Sequence, residues 1–246
     1  MVKALRSYAC CGAIIQAAVL LSACGDAANE RTALNQSSVP ASERPARTAN
    51  IPISGPRRTV LAFGDSLYAG YGLKRGESLP DAVQARLRSH GIDASIVNAG
   101  VSSDTTAGGR RRLAYTLDRL ETSPDLVLLG LGGNDVLRQV DPAETRANLE
   151  AMLDELDKRQ IPVMLTGMLA PPNLGPDFAA RFNAIWPDLA RKYEAVLYPF
   201  ILEGVIGNRS LMLQDGVHPN AHGVSIIAER LAPLVENRIE QTQRPR

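Results

Sequence analysis

Apolar and polar positions follow two patterns between residues 57 and 240. Short apolar runs bounded by glycine, proline or asparagine are typical of buried strands, and apolar residues that recur every three or four positions are typical of amphipathic helices. The runs predict strands at residues 60–63, 94–98, 126–131, 162–165 and 195–198. The recurring pattern predicts helices at residues 79–90, 107–120, 142–159, 178–193 and 221–239.

Strands that alternate with helices predict a parallel sheet covered by helices on both faces. Residues 126–131 form an apolar run, so we expect them to be the central strand, buried on both sides. Pro187 lies inside the helix predicted at 178–193, where it either kinks that helix or marks a new start. Gly91 is expected to follow the end of the first helix as its C′ residue. The expected fold class is therefore α/β, with three α/β/α layers in a single domain over residues 57–240.

The first residues have the features of an export signal. Lys3 and Arg6 precede an apolar run that is too short for a comfortable membrane span. The run ends in Leu-Ser-Ala-Cys at residues 21–24, which resembles the lipobox of bacterial lipoproteins. In those proteins the signal peptide is removed before the cysteine, and the cysteine is lipidated. We therefore expect a signal peptide at residues 1–23 and a lipidated Cys24; an ordinary secretory signal is the alternative.

The stretch between Cys24 and the first strand has no periodic apolar face. Residues 24–56 are rich in Ala, Ser, Asn, Thr, Pro and Arg, which is typical of a disordered tether. Such a tether has a root-mean-square reach of roughly 30 Å. Residues 241–246 are predicted to be a disordered tail. All three cysteines precede residue 57, so the predicted domain has no disulfide, cysteine nucleophile or cysteine–metal site.

The overall composition excludes some classes of partner. The chain has 246 residues with 27 Lys and Arg against 26 Asp and Glu, and a net charge of +1 gives no electrostatic basis for binding a polyanion. Aromatic residues make up 4%, which argues against a base-stacking surface for nucleic acid. We therefore expect no nucleic-acid partner, and we expect a monomer.

Polar residues follow three of the predicted strands at the edge where reactive groups gather in α/β sheets. Gly64-Asp65-Ser66 follows the first strand, residues 98–105 follow the second, and residues 132–135 follow the third. Taken alone, Ser66 is also compatible with an ordinary N-cap or turn serine. Two acids of these loops, Asp65 and Asp135, are expected to brace the loops as hydrogen-bond acceptors.

A fourth polar motif lies late in the chain. Two residues separate Asp215 from His218, and Gly216 permits the chain to turn between them. The carboxylate can then fix the tautomer of the imidazole, which leaves the other ring nitrogen free to take a serine proton. Asn134 can offer an amide N–H to a developing oxyanion. With Ser66, these residues predict acyl-transfer chemistry.

These motifs, in this order, resemble those of the GDSL (SGNH) hydrolases. The matching blocks are Gly-Asp-Ser-Leu at residues 64–67, Gly-x-Asn-Asp at 132–135 and Asp-x-x-His at 215–218. Residues 63–71 and 131–135 look closest to the bacterial thioesterase I, arylesterase and lysophospholipase type. The resemblance covers about residues 58–236. It implies a flavodoxin-like fold with a five-stranded parallel sheet and a serine ester hydrolase that needs no metal or organic cofactor.

The resemblance also assigns roles to individual residues. It implies that Ser66 is the nucleophile, His218 the general base and acid, and Asp215 the orienting carboxylate. The oxyanion donors are then the Ser66 N–H, the Ser103 N–H and the Asn134 side chain. The family pattern has glycine where this sequence has Ser103. If that position requires a positive φ, serine adds strain of about 1–2 kcal/mol, and Gly100 is the alternative donor.

The expected substrates are aryl esters, acyl thioesters, lysophospholipids or short acyl esters. Export to the bacterial cell envelope favours lipid or carbohydrate esters near the membrane, where a lipid anchor would hold the domain. Two alternatives stay open, a non-catalytic lipid- or glycan-binding lipoprotein on the same fold and a carbohydrate O-acetylesterase.

Several other features receive plainer interpretations. Arg110, Arg111 and Arg112 are expected to form a solvated helix face. His222 lies four residues after His218, but we expect it on the surface or behind the site and expect no metal there. The loop at residues 168–178 either borders an acyl groove or simply connects two elements.

Overall fold

The computed structural model of the protein describes residues 51–241. The predicted signal peptide, Cys24, most of the predicted tether and residues 242–246 lie outside the described residues.

Five strands form one parallel sheet in the spatial order β2-β1-β3-β4-β5. They are β1 (Ser54–Gly64), β2 (Ile92–Gly100), β3 (Leu126–Gly130), β4 (Val163–Thr166) and β5 (Val196–Tyr198). The central strand β3 is buried along its whole length, as its apolar sequence predicts. The strand order is that of the flavodoxin-like doubly wound sheet, which confirms the predicted fold class.

Eight α-helices are present among residues 51–241, and a single 3₁₀ turn, Pro172–Leu174, follows β4. The helices are α1 (Ser66–Ala69), α2 (Leu79–Ser89), α3 (Thr106–Asp118), α4 (Gly133–Leu137), α5 (Pro142–Lys158), α6 (Pro176–Asn183), α7 (Ile185–Lys192) and α8 (Ala221–Gln241). The two shortest, α1 and α4, were not predicted because one turn of helix leaves no periodic pattern to detect.

The helix predicted at residues 178–193 is two helices. Helix α6 ends at Asn183 and α7 begins at Ile185, so Pro187 lies in the first turn of α7. Proline is tolerated there because the first backbone N–H groups of a helix have no acceptor within it. Of the two readings of Pro187, the new start is therefore the correct one.

The folded chain begins earlier than predicted. Strand β1 starts at Ser54, whose N–H donates to the Gly91 carbonyl (2.9 Å) and which pairs with Ile92. Residues 54–56 therefore belong to the sheet and not to the predicted tether. Gly91 has φ +86°, the left-handed conformation expected of a C′ glycine.

Helices cover both faces of the sheet. Helices α2 and α8 pack against each other on one face, while α3, α5, α6 and α7 pack together on the other. The buried side chains of the strands lie between these layers. Among residues 51–241, none of the helices is both long and apolar enough to cross a bilayer.

Candidate active site

Ser66 occupies the first turn of α1, and a row of glycines fixes where that helix lies. Gly64, Gly100 and Gly130 are paired across the carboxyl ends of β1, β2 and β3. A Cβ at Gly64 or Gly130 would lie within 2.6 Å of the Tyr68 ring, and one at Gly100 would lie 2.3 Å from the Ala69 nitrogen. The three glycines therefore let α1 settle directly onto the end of the sheet.

Tyr68, a residue of α1, holds the helix in that position by packing its ring against the end of the sheet. Its ring is 1% exposed, and its hydroxyl is 2.9 Å from Thr166 Oγ1 at the end of β4. Burial raises the pKa of this phenol. Asn98 Nδ2 donates to the Tyr68 carbonyl at 2.8 Å. The nucleophile candidate thus lies on a helix that is tied to β2 and β4.

A continuous hydrogen-bonded chain joins Ser66, His218 and Asp215. Ser66 Oγ lies 2.8 Å from His218 Nε2, and His218 Nδ1 lies 2.7 Å from Asp215 Oδ2. The ring of Tyr71 covers one side of the imidazole, with the two ring centroids 4.5 Å apart. The structure therefore brings together three residues that the sequence placed in two distant motifs.

The histidine loop, residues 213–219, is built mainly by local contacts. Asp215 Oδ1 accepts the N–H groups of Val217 (2.9 Å) and His218 (3.0 Å), and Gly216 has φ +68°. Burial by itself would raise the pKa of Asp215. Hydrogen bonds from the His218 N–H, the His218 ring and the Val217 N–H outweigh it and lower that pKa to about 2. Asp215 is therefore held as a carboxylate against the imidazole.

Asn134 and Ser103 line the same cleft as Ser66 and His218. Asn134 lies on α4, and its Nδ2 donates to the Asp104 carbonyl at 2.9 Å, which leaves a second amide hydrogen. Arg138 makes a second contact with the β2–α3 loop, residues 101–105, because it donates to the Ser103 carbonyl at 2.9 Å. These contacts set the amide of Asn134 beside the β2–α3 loop.

Ser103 has φ +68°, the left-handed conformation that serine rarely adopts. This is the condition under which we expected strain from serine at a family glycine. Gly100, the alternative donor, already gives its N–H to Asn98 Oδ1 at 2.9 Å. The geometry therefore favours Ser103 over Gly100 as a group whose N–H can face the cleft.

Behind the cleft lies a buried polar network centred on Asp135. Its carboxylate is 0% exposed and accepts hydrogen bonds from the Thr106 N–H, the Thr106 hydroxyl and the Thr145 hydroxyl. Asn148 Nδ2 also donates to Thr106 Oγ1. Asp135 thus joins the starts of α3, α4 and α5, which is the bracing role expected for it.

Asp65 braces the start of α1, the helix that carries Ser66. Its Oδ1 accepts the Leu67 N–H at 3.1 Å and caps α1. Burial raises the pKa of Asp65 to about 6, although the Leu67 N–H and the charge of His218 act in the opposite direction. A carboxyl with a raised pKa therefore lies directly beside the candidate nucleophile.

Arg112 does not belong to a solvated helix face, so that prediction is wrong for this residue. Its guanidinium reaches inward to Asp104, Ala99 and Gly64. The sequence pattern missed this because three consecutive arginines point in different directions around a helix, and only contact with the sheet decides which one is buried.

The cleft has a volume of about 670 Å³ and a largely apolar lining. Met168, Leu169 and Pro171 come from the loop after β4, so this loop borders the groove, which was one of its two expected roles. Several large apolar side chains at the cleft are 37–62% exposed: Tyr71, Leu137, Leu169, Ile206 and Val217. Val217 lies within the predicted Asp-x-x-His motif, whereas Ile206 lies in a segment between β5 and α8 for which the sequence analysis predicts no role. His222, which we expect on the surface or behind the site, is exposed at the start of α8.

Comparison with known proteins identifies the fold and its chemistry. Residues 62–226 match the GDSL-like Lipase/Acylhydrolase family. Esterase TesA of Pseudomonas aeruginosa is 37% identical over 179 residues, which are 73% of this chain and 88% of that protein. Thioesterase 1/protease 1/lysophospholipase L1 of Escherichia coli K12 is 34% identical over 183 residues, 73% of this chain and 86% of that protein.

Solved structures agree with these relatives. The crystal structure of AlinE4, an SGNH-hydrolase family esterase, is 49% identical and superposes with a TM-score of 0.65, covering 78% of this chain and 100% of that one. The crystal structure of TesA is 36% identical with a TM-score of 0.69, covering 74% of this chain and 99% of that one.

Proposed function

We propose that Ser66, His218 and Asp215 are the catalytic triad of this chain, which belongs to the GDSL-like lipase/acylhydrolase family and is a serine ester hydrolase. The observation that carries the proposal is the unbroken chain of hydrogen bonds of 2.8 and 2.7 Å from hydroxyl to imidazole to carboxylate. A neutral imidazole that donates Nδ1–H to Asp215 presents the Nε2 lone pair to the serine hydroxyl.

In the first half of the reaction, Ser66 Oγ attacks the ester carbonyl carbon and His218 Nε2 takes the hydroxyl proton. The imidazolium then gives this proton to the leaving oxygen or sulfur as the carbonyl–leaving-group bond breaks. In the second half, His218 takes a proton from water, and the hydroxide formed attacks the acyl-enzyme. The proton returns to Ser66 when the carboxylic acid leaves.

The negative charge of both tetrahedral intermediates needs donors that are already in place. We assign these to the N–H groups of Ser66 and Ser103 and to the Nδ2 of Asn134. Preorganised donors of this kind stabilise the transition state because they need no reorientation when charge develops. The engagement of the Gly100 N–H by Asn98 supports Ser103 as the second backbone donor.

A fluorophosphonate probe tests the triad. The native protein should be labelled, whereas Ser66→Ala should not, and His218→Ala should lose at least about 10³-fold in kcat. The Ser66→Ala/His218→Ala double variant should lose little more than either single variant because the two residues act as a unit. His222→Ala, a histidine exposed four residues later, is the matched control and should keep full activity. Equal labelling of Ser66→Ala would refute the assignment.

The cleft supports an ester with an apolar acyl group as substrate. An acetyl group would leave most of the 670 Å³ cleft empty, whereas each buried methylene contributes about 0.8 kcal/mol. The exposed apolar side chains at its mouth extend the same surface outward. We therefore favour acyl, aryl or lysophospholipid esters over a carbohydrate acetate.

A series of p-nitrophenyl esters from acetate to dodecanoate tests this preference. We expect kcat/KM to rise with each added methylene until the cleft is filled. Ile206→Gln at the mouth should flatten that rise. Tyr115→Gln, which changes a large exposed side chain on α3 outside the cleft lining, should not. A steady fall in kcat/KM from acetate onward would favour the acetylesterase alternative.

The lipobox-like sequence at residues 21–24 supports a lipid anchor on Cys24 and a place in the bacterial cell envelope. Cys24→Ala should move the protein from the membrane pellet to the supernatant and abolish incorporation of radioactive palmitate, with hydrolysis unchanged. Cys10→Ala, which lies inside the predicted signal peptide, should behave as the native protein. Membrane association of the Cys24→Ala variant would contradict the anchor.

A further inference from the structure

The side chain of Arg112 connects three separate pieces of the chain around the site. Nε donates to Asp104 Oδ2 at 2.6 Å, Nη1 to the Ala99 carbonyl at 2.8 Å and Nη2 to the Gly64 carbonyl at 2.8 Å. All three nitrogens of the guanidinium are thus engaged, two of them with backbone carbonyls. Only 21% of the side chain is exposed, and the guanidinium carbon lies 3.8 Å from the centroid of the Phe63 ring.

The positions of these acceptors relate Arg112 to the proposed oxyanion donors. Gly64 is two residues before Ser66, so the carbonyl that Arg112 holds lies at the end of the strand that delivers the nucleophile. Ala99 and Asp104 lie on either side of Ser103. One planar guanidinium therefore binds both flanks of the segment that carries the Ser103 N–H, and the strand end that precedes the Ser66 N–H.

The contact between Asn134 and the β2–α3 loop shares its partner with Arg112. Asn134 donates to the Asp104 carbonyl, while Arg112 pairs with the Asp104 carboxylate. If Asp104 moves, the amide of Asn134 loses its partner, and the strained turn at Ser103 loses one of its supports. The guanidinium fork suits this task because its five donors lie in a fixed plane, whereas a lysine ammonium is a single flexible point charge.

We propose that Arg112 is a positioning residue for ester hydrolysis. It acts through the Ser66 N–H, the Ser103 N–H and the Asn134 amide by fixing their mutual distances, and it does not touch the substrate. The proposal rests on the proposed triad and oxyanion donors. Donors that are misplaced still allow the substrate to bind but stabilise the oxyanion less, so the loss is expected in kcat rather than in KM.

The test compares Arg112→Ala and Arg112→Lys with Arg111→Ala, an exposed arginine of the same helix. Folding of each variant is verified by circular dichroism, and kinetics are measured well below its midpoint of thermal unfolding. We expect Arg112→Ala to lose roughly 10- to 100-fold in kcat, less than the roughly 10²- to 10³-fold typical of a deleted donor. KM should stay within about threefold, since ground-state binding is left in place. Arg112→Lys, which can still pair with Asp104, should lose less, and Arg111→Ala should match the native enzyme.

Two further readouts separate positioning from loss of stability. In the Arg112→Lys/Asn134→Ala double variant the losses in kcat should be less than additive, because both substitutions damage the same set of donors. Methylguanidinium added to Arg112→Ala should restore part of kcat by filling the vacated site, with no effect on Arg111→Ala.

The outcomes distinguish this proposal from the one on which it rests. If Ser66→Ala is inactive while both folded Arg112 variants keep kcat within about twofold of native, the positioning role is wrong and the triad stands. The same conclusion follows if kcat loss tracks only the unfolded fraction. If Ser66→Ala is itself fully active, the triad fails first. Should Arg112→Ala not fold, Arg112→Lys and its double variant decide the matter alone.

Discussion

The two sides of the proposed active site are built in opposite ways. On one side, the histidine loop is exposed and closes on itself, because Asp215 binds the backbone and ring of a residue three positions away. On the other side, Asn134, Ser103 and Ser66 lie on three elements that only long-range contacts bring together. Asp135, Asp104 and Arg112 supply those contacts from buried or half-buried positions.

The difference shows which kind of catalytic group can be recognised from a short sequence motif and which depends on the tertiary structure. A base and its orienting carboxylate can be encoded as a short motif, since a turn of four residues fixes their geometry. A set of oxyanion donors requires accurate distances between groups on different loops. Several rigid elements together set those distances. Substitutions on the two sides should therefore differ in their effects on catalysis and on folding.

The largest expected effect breaks the oxyanion side at its side-chain donor. Asn134→Ala removes the amide that we assign to the oxyanion and the bond to the Asp104 carbonyl, so kcat should fall by roughly 10²- to 10³-fold. KM for a p-nitrophenyl ester should change little, because the ground-state carbonyl carries less charge. Steady-state kinetics would contradict the assignment if kcat stayed within about threefold of native.

Next comes a contrast in stability between two aspartates. Asp135→Ala leaves the Thr106 N–H buried without its acceptor and should lower the free energy of unfolding by about 3 kcal/mol. Asp215→Ala lies in the exposed histidine loop and should cost about 1 kcal/mol or less. Urea denaturation measures both. Equal losses would show that the two sides share one folding requirement.

Asp65 lies where the two sides meet, and its stability effect depends on pH. Burial raises the pKa of Asp65 to about 6 from 3.8 in the unfolded chain. Between these values the folded state binds more protons than the unfolded state, so this group makes stability fall as pH rises. Asp65→Asn keeps an acceptor for the Leu67 N–H without the charge, and should gain on the order of 2 kcal/mol above pH 6.

The check on Asp65→Asn is a series of thermal unfolding midpoints at several pH values. The gain over the native protein should shrink steadily between pH 6 and pH 4, where the native carboxyl takes up its proton. A gain of the same size at pH 4 and pH 8 would show that charge is not its cause.

The smallest effect concerns the strained serine. Ser103→Gly should raise the free energy of unfolding by about 1 kcal/mol or less, because glycine adopts φ +68° without a clash of Cβ. kcat should stay within about twofold, since the donor is a backbone N–H. Ser102→Gly, next to it but without a positive φ, should be neutral or destabilising. If both glycine variants were equally stable, the left-handed turn would carry no strain.

Much of this protein can be predicted from sequence because the signals are local. Apolar runs mark β1 to β5 within two residues at every end except the start of β1, which lies six residues earlier than predicted. Asp-x-x-His with Gly216 predicts the turn that carries the proposed base. The short helices α1 and α4 gave no such signal, although they hold Ser66 and Asn134. The glycines at positions 64, 100 and 130 stand at the ends of the predicted strands. The sequence does not show that Tyr68 packs against all three of them.

The amino-acid sequence alone determined the α/β alternation, the central apolar strand and the motifs with their order, because each depends on periodicity or spacing within one segment. Only the tertiary structure decided that Arg112 faces inward while Arg111 stays exposed, that Ser103 lines the cleft, and that the Gly100 N–H is bonded to Asn98. Neighbouring side chains and N–H groups of one segment compete for partners on other segments. Which of them is buried and engaged follows from what the rest of the chain places beside it.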